Sequence, residues 1–403
     1  MNILVYTSIY PIKGTRQEFT PVVKYFCEEW VKQGHSVFVV SSTSKFPLLM
    51  YAVPKKIKDR VESKKGFPFP NKISRKEIFK VENGVKIFQL PLFKIFPGEF
   101  PSDKKLKNKF QKIVKILAKE NFIPDVAIGH WLMPQLKYLN LTKNYFKCKV
   151  ALTLHSYVKH KRLKILKKYA SNIDLIGFRS RPIQKDVNLK LNILPEKQYM
   201  CLSGVRDFFE IADTDFIPKK RVPNKIKICF VGTLIKRKHP DKIIKALNSL
   251  GNKSVTFDVH YVGIGDLKES INNIPKDNNI NTFFHGRKPR HKVYNIIKDC
   301  DLMIMISKNE AYGLVYLEAM LNRTIPIASY NEGFDGIIKN EINGYLCNAG
   351  NYQELRKIMC KIISLDDQTY IKIQRKAFET ARSMTDDKMA NKYLKNIYNN
   401  NEK

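Results

Sequence analysis

The stretch from Asp301 to Ser329 constrains the fold of this chain more than any other. An apolar run at Leu302–Ile306 is long enough for one buried strand, and the polar residues after it end that strand. A helix is predicted at Leu314–Leu321 and a second strand at Thr324–Ser329. A strand, loop, helix and strand in this order are typical of a parallel sheet, where ligands bind outside the carboxyl ends of the strands. The sequence therefore predicts an α/β fold with a site just after the first strand.

Two glutamates flank the turn that leads into this helix. Glu310 lies just past the strand, Glu318 lies in the second turn of the helix, and Gly313 allows the tight turn between them. Helix N-termini attract diphosphates, and a carboxylate can accept both hydrogen bonds of a vicinal diol. The pattern predicts a sugar-nucleotide site in which one carboxylate holds a hexose and the other a ribose. Taken alone, the spacing would favour ordinary surface glutamates.

The segment SKNEAYGLVYLEAMLNRTIPIAS resembles the signature block of the retaining family 4 glycosyltransferases of the GT-B fold. The resemblance implies two doubly wound Rossmann-like domains that face each other across a cleft. It also implies transfer of a sugar from a nucleoside diphosphate sugar with retention at the anomeric carbon. Glu310 would contact the donor sugar and Glu318 the ribose. The phosphates would lie at Tyr312, Gly313, Leu314 and Val315.

A second block, from Gly232 to Lys238, is similar to the family pattern G-R-L-x-x-x-K-G. Lys238 matches the lysine that clamps the diphosphate and stabilises the departing charge. Thr233 occupies the arginine position, which leaves Arg237 as an alternative second cation. In isolation, a solvated basic loop would explain these residues better. The loop with Gly286 and Arg287 matches the family position near the nucleotide base.

The N-terminal half resembles the family less closely. Gly14 and Thr15 in the first loop are predicted on the acceptor side, although a plain turn glycine explains Gly14 equally well. His130 ends the segment PDVAIGH and corresponds to a histidine beside the reacting sugar in relatives. We predict a catalytic role for it, with Glu310 and Lys238, and a structural role is the alternative. His155 is predicted on the acceptor side.

The polar stretch 211–224 is the predicted linker between two domains. It divides the chain into an acceptor-side domain at 1–210 and a nucleotide-sugar-binding domain at 224–387. By resemblance, the last helix, 388–403, packs back on the first domain.

The chain is strongly basic, with a formal net charge of +35, and residues 1–210 hold 40 Lys and Arg against 16 Asp and Glu. Such charge attracts nucleic acid or an anionic membrane alike, but no nucleic-acid motif is present. The predicted helix at Lys104–Glu120 reads first as a core-facing helix with a solvated lysine face. With the run at Lys159–Lys168, it also predicts docking on an anionic membrane surface; lysines that only solvate the protein are the alternative.

The remaining features limit the compartment and the chemistry. Seven scattered cysteines fit a reducing cytosol, and neither a signal peptide nor a membrane-spanning apolar run is found in this sequence. We expect a cytoplasmic protein or one that is peripheral on the inner face of the membrane. No Asp-x-Asp pair follows a sheet strand and no set of His and Cys has metal-ligand spacing, so we expect no metal and no cofactor.

The sequence thus predicts a glycosyltransferase, with a UDP-sugar favoured, that acts on a glycan or lipid-linked glycan in cell-surface polysaccharide synthesis such as lipopolysaccharide or capsule. Two alternatives stay open. A sugar-nucleotide 2-epimerase-like isomerase shares the fold and would consume the nucleotide sugar without an acceptor. A basic nucleic-acid-binding protein could use the same fold as a scaffold.

Overall fold

The computed structural model describes residues 1–12, 20–54, 57–58, 75–95, 99, 101–158, 160–206, 216–251 and 254–398. The chain forms two compact units. The first comprises Met1–Arg179, Ile183–Ser203 and Asp386–Lys403, and the second comprises Ser180–Pro182 and Gly204–Thr385. The domain limits at 210 and 224 stay predictions, because residues 207–215 lie outside the described part.

Among the described residues, the first unit is built on one large sheet with strand order β10-β9-β8-β7-β1-β2-β5-β4 and a small sheet of β3 and β6. Within the part of the chain that the structure describes, only β4 is antiparallel to its neighbour in the large sheet. The strands are β1 Asn2–Thr7, β2 Ser36–Ser41, β3 Ser44–Lys45, β4 Ile78–Glu82, β5 Val85–Gln89, β6 Leu92–Phe93, β7 Val126–His130, β8 Lys149–Leu154, β9 Leu175–Phe178 and β10 Gln198–Met200.

Helices connect these strands and cover the sheet. They are α1 Val22–Lys32, α2 Leu49–Ala52, α3 Asp103–Lys119, α4 Gln135–Phe146, α5 His160–Tyr169 and α6 Arg181–Leu191. In α3, Leu106, Phe110, Ile113 and Leu117 are buried, and most of its lysines are exposed. The prediction that this helix faces the core is therefore confirmed.

The second unit carries a parallel sheet with strand order β13-β12-β11-β14-β15-β16. Its strands are β11 Lys225–Val231, β12 Thr256–Val262, β13 Ile280–Gly286, β14 Leu302–Ile304, β15 Ile325–Ser329 and β16 Tyr345–Cys347. Its helices are α7 Asp241–Asn248, α8 Lys268–Asn272, α9 Arg290–Lys298, α10 Leu314–Leu321, α11 Tyr352–Ile363 and α12 Asp367–Arg382. Because all these strands are parallel, the loops that follow them meet at one edge of the sheet.

The last helix, α13 at Asp386–Tyr398, belongs to the first unit. The indole Nε1 of Trp30 donates a hydrogen bond of 3.0 Å to the carbonyl of Ala390. The ring of Tyr393 packs 5.4 Å from Trp30 and 5.1 Å from Phe26. Within the described residues, none of the helices is long and apolar enough to cross a membrane.

Candidate functional site

The loops that follow β11 and β12 pack so closely that they exclude side chains. A Cβ on Gly263 would lie 1.9 Å from the carbonyl oxygen of Gly232, and one on Gly265 would lie 2.3 Å from that of Leu234. The loops are also hydrogen-bonded, because Leu234 N–H donates to the carbonyl of Ile264 at 3.0 Å. This contact is the physical reason for the glycine-x-glycine pattern, and it leaves a bare backbone surface at the strand ends.

Lys238 lies at the end of a short 3-10 turn that follows β11. Its side chain packs over Gly232, where a Cβ would lie 3.1 Å from the lysine Nζ. The turn is tied to the loop after β14 because Lys308 N–H donates to the carbonyl of Arg237 at 2.7 Å. The ammonium of Lys238 and the guanidinium of Arg237 both approach one oxygen of Glu310, at 3.3 and 3.9 Å. The two sequence blocks therefore meet in space.

The carboxylate of Glu310 is mostly buried but incompletely satisfied. Its Oε2 pairs electrostatically with Lys238, yet it accepts no hydrogen bond in the part of the chain that the structure describes. A buried carboxylate oxygen without a hydrogen bond is costly unless a ligand supplies the donor. Glu310 is therefore suited to receive a hydroxyl group from a bound molecule.

The backbone beneath Glu310 is held by another carboxylate, Glu332, in the loop after β15. The N–H groups of Asn309 and Glu310 donate to the two oxygens of Glu332 at 2.9 and 2.6 Å. Gly333 N–H returns a bond of 2.9 Å to the carbonyl of Glu310. Burial raises the pKa of Glu332, and these two backbone donors oppose that rise. Sequence reasoning missed Glu332, although its place just after a predicted strand was a usable signal.

The start of α10 forms the next part of the site. Gly313 has φ of 90°, and a Cβ there would lie 2.5 Å from the ring of Tyr316. The Tyr316 hydroxyl donates to the carbonyl of Met305 at 2.5 Å, which fixes the helix start against the end of β14. Within the described chain no side chain caps this helix. The first-turn N–H groups, including those of Leu314 and Val315, are therefore oriented to bind an anion.

Tyr312 can offer a ligand its backbone but not its ring. Its side chain is buried against Phe334, with ring centroids 5.2 Å apart.

Glu318 is paired in a way that the sequence did not indicate. One carboxylate oxygen accepts a hydrogen bond from the guanidinium of Arg290, the first residue of α9. Both side chains are largely buried. Because 28 residues separate the two, no helical spacing pointed to this pair.

The other predicted donor residues line the same edge of the sheet. Thr233 is exposed in the loop after β11. Gly286 ends β13 with φ of 65°, and its carbonyl accepts a bond of 2.9 Å from Gly263 N–H. Arg287 follows it and is exposed.

In the first unit, His130 and His155 form a pair, with Nδ1 of His130 2.9 Å from Nε2 of His155. His130 is fully buried, and burial, together with the charge of Arg179, lowers its pKa to about 3. His155 is half-buried and stacks on Trp131 at 4.1 Å. The catalytic role of His130 stays a prediction, and in this structure the accessible member of the pair is His155. Gly14 and Thr15 lie outside the described residues.

Three carboxylates and three cations thus lie, with the start of α10, at one edge of the second sheet. Residues 212–383 match the sequence model of the family described as glycosyl transferases group 1. The second unit belongs to this family. The group 1 match covers all the site residues just described in this unit.

A curated relative in Methanocaldococcus jannaschii, an uncharacterized glycosyltransferase, is 26% identical over 314 residues, which are 73% of this chain and 79% of the relative. Across the six curated relatives that match, the aligned stretch covers between 35% and 79% of the relative's length.

Two solved structures match nearly the whole chain. A glycosyltransferase from Rickettsia africae has a TM-score of 0.68 at 17% identity and covers 100% of this chain and 99% of its own. Anabaena HepE, solved in complex with UDP-glucose, has a TM-score of 0.62 at 15% identity and covers 98% of each chain. These likenesses show that the chain has the GT-B fold.

Proposed function

We propose that this group 1 glycosyltransferase moves a sugar from a nucleoside diphosphate sugar, with retention at the anomeric carbon, to a glycan or lipid-linked glycan. The observation that carries the proposal is the environment of Glu310. One buried oxygen of its carboxylate accepts no hydrogen bond from the described residues, and two cations lie beside it. The uncapped start of α10 follows three residues later in the chain.

Each of these groups has a role in the proposed reaction. Glu310 accepts hydrogen bonds from hydroxyls of the donor sugar and orients its anomeric carbon. Lys238, aided by Arg237 and the first turn of α10, stabilises the negative charge that develops on the diphosphate as the glycosidic bond to it breaks. The acceptor oxygen then bonds to the anomeric carbon on the face that the diphosphate leaves. The departing diphosphate takes the acceptor's proton, so the step needs no covalent sugar–enzyme intermediate.

Glu318 is proposed to hold the ribose, with Arg290 fixing its orientation. We favour a UDP-sugar as the donor because HepE, which shares the fold, was solved with UDP-glucose. We also propose a role in cell-surface polysaccharide synthesis at the cytoplasmic face of the membrane, and the name of a Staphylococcus aureus relative supports transfer to a polymer. That protein is named a poly(ribitol-phosphate) alpha-N-acetylglucosaminyltransferase and is 23% identical over 181 residues.

The direct test is binding of UDP, GDP, ADP and UDP-glucose, measured as the shift in melting temperature. A ligand at about 100 times its Kd stabilises the folded state by roughly 2.7 kcal/mol, so a true donor nucleotide gives a clear shift. Lys238→Ala should weaken the shift, and Lys236→Ala, in the same turn but exposed, serves as the matched control. Absence of a shift with every nucleotide would count against the proposal.

The isomerase alternative is separated by following the products of UDP-glucose. A transferase releases UDP in the presence of an acceptor extract and leaves the sugar unchanged without it. Accumulation of an epimerised nucleotide sugar, with no acceptor present, would favour the isomerase.

A further inference from the structure

Four exposed apolar side chains gather where the small sheet of the first unit ends. Strands β3 and β6 are parallel, with Ser44 opposite Leu92 and Lys45 opposite Phe93. Their chains therefore leave the sheet in the same direction. The exposed fraction of the side chains at this end is 68% for Leu48, 83% for Leu49, 43% for Phe93 and 50% for Ile95. We call these four residues the apolar edge.

Basic side chains surround the apolar edge. The ammonium of Lys105, in the first turn of α3, lies 5.8 Å from the ring centroid of Phe93. Lys94 stands between two members of the edge. Burial lowers its pKa, the negative charge of Glu99 opposes that shift, and the positive charge of Arg162 adds to it. Arg162 is in the first turn of α5, so charges from the first turns of two basic helices act at this end of the small sheet.

The same two helices approach each other at a second point. The pKa of Asp103, the first residue of α3, is lowered mainly by its hydrogen bond to Lys137 and also by the charges of Lys168 and Lys107. Lys168 lies near the end of α5. Among the exposed cations of these helices, six form what we call the basic rim: Lys104, Lys105, Lys107, Arg162, Lys164 and Lys168.

The helix α3 cannot itself supply apolar contacts to a partner. Its apolar residues, from Leu106 to Leu117, are buried in the core of the first unit. Any apolar contact at this surface must therefore come from the loops that carry the apolar edge, and the helices contribute charge.

We propose that the apolar edge and the basic rim together dock the first unit on an anionic lipid bilayer. The aliphatic and aromatic side chains would enter the boundary between head groups and acyl chains, and the lysines and arginine would lie at the level of the lipid phosphates. A polyanion such as nucleic acid would satisfy the rim but leave the apolar edge in water. The biological role of this docking rests on the proposed transfer to a lipid-linked acceptor. Binding to the bilayer is measured separately, without any transfer reaction.

The test is flotation of the full chain with vesicles of phosphatidylcholine alone or with about one third phosphatidylglycerol. At low salt we expect the protein to float with the anionic vesicles and to remain largely unbound with neutral ones. Raising the salt to about 0.5 M should release most of it, because screening then acts within a few ångströms. The double variant Leu48→Asp with Leu49→Asp should bind at least about tenfold more weakly.

The chain offers matched controls for both parts of the surface. Ile123 and Leu189 are exposed to 70% and 80%, and Ile123 precedes β7, at the amino-terminal edge of the large sheet. Changing both to Asp should leave flotation unchanged. Lys105→Gln with Arg162→Gln should reduce it, whereas Lys115→Gln with Lys119→Gln, the same charge change at the far end of α3, should not.

Three outcomes would overturn the proposal. The first is that the protein does not float with anionic vesicles. The second is that the variants of the proposed surface and their controls lose flotation equally, which would indicate binding by diffuse positive charge. The third is a wild-type dimer, by light scattering, that becomes a monomer in the Leu48→Asp and Leu49→Asp variant, since the edge would then be a contact between two copies. The shift in melting temperature with UDP, measured on the same variants, reports the donor site separately.

Discussion

The two units use the same edge of a parallel sheet in opposite ways. In the second unit this edge carries ionised groups close to the surface, with Glu310 facing Lys238 and Arg237. In the first unit it carries mostly neutral polar groups in the interior, together with the buried Arg179. There, the hydroxyl of Thr153 lies 2.7 Å from that of Tyr199 and 2.5 Å from that of Tyr393, beside the buried His130.

The difference shows what each edge can do. Ion pairs near a surface can exchange one partner for a ligand at modest cost, because the solvent and the remaining charges compensate. Neutral groups that are locked in a buried network gain little from a ligand and lose stability if disturbed. We therefore expect substitutions at the second edge to change activity, and substitutions at the first edge to change stability.

The largest expected effect is at the edge of the second unit's sheet where Glu310 faces Lys238 and Arg237, which we call the ionic edge. Glu310→Gln removes the charge but keeps the shape, and we expect turnover to fall by about a thousandfold, as when a group that acts in the transition state is lost. Thermal unfolding should remain close to that of the wild type because the Glu332 contacts are made with backbone N–H groups. Near-normal turnover in this variant would remove Glu310 from the site.

Lys238→Ala should come next, with turnover lowered by about a hundredfold. Lys238 is expected to act mainly on charge that develops at the diphosphate, so turnover should fall more than donor affinity. Lys236→Ala is the control. Equal effects of the two substitutions would mean that the turn contributes only general positive charge.

A smaller effect is expected at the ribose carboxylate. Glu318→Gln and Arg290→Gln should each raise the KM for the donor by about tenfold and change kcat by less than about twofold, because ribose contacts are similar in the ground and transition states. Lys292→Gln, exposed on the same helix, is the matched control. If Arg290→Gln changes melting temperature but not KM, the arginine has only a structural role.

At the corresponding edge of the first unit's sheet, around His130, the expected effect is on the free energy of unfolding and depends on pH. Burial lowers the pKa of His130 from 6.5 to about 3. Below pH 6.5 this histidine therefore binds a proton in the unfolded chain but not in the folded chain. The free energy of unfolding should thus fall by about 2 kcal/mol from this residue between pH 7 and pH 5. Urea unfolding of His130→Gln should show a smaller loss over that range. If His130→Gln and the wild type show the same pH dependence, His130 also takes up its proton in the folded protein. The same substitution at the exposed His291 is the control.

The smallest expected effect is that of metal removal. Because no Asp-x-Asp pair follows a sheet strand, we expect EDTA to leave the rate of transfer unchanged. Loss of activity that manganese restores would require a metal at the ionic edge.

The sequence predicted local features well and distant pairings poorly. The helix at Leu314–Leu321 has the predicted limits, because its apolar residues and end signals are contained in the segment itself. Glu332 and Arg290 escaped prediction because each acts on a carboxylate or backbone group more than 20 residues away. Such partners are brought together by the order of strands in the sheet, which periodicity does not encode.

The apolar edge was missed for the same reason. Leu48, Leu49, Phe93 and Ile95 belong to two segments that only the pairing of β3 with β6 brings to one place. The basic helix at Asp103–Lys119 was recognised, and its burial pattern followed from the sequence, since a helix with one apolar stripe covers a core.

The position of α13 has a consequence for the order in which the protein is made. Trp30 leaves the ribosome well before its partners, because Ala390 lies 360 residues later in the chain and Tyr393 lies just beyond it. About 180 residues of the second unit are translated in between, which takes roughly 9 to 36 s at ordinary rates of elongation. During that interval the nascent first unit exposes the groove for α13, so a chaperone that shields apolar grooves has a defined window in which to bind.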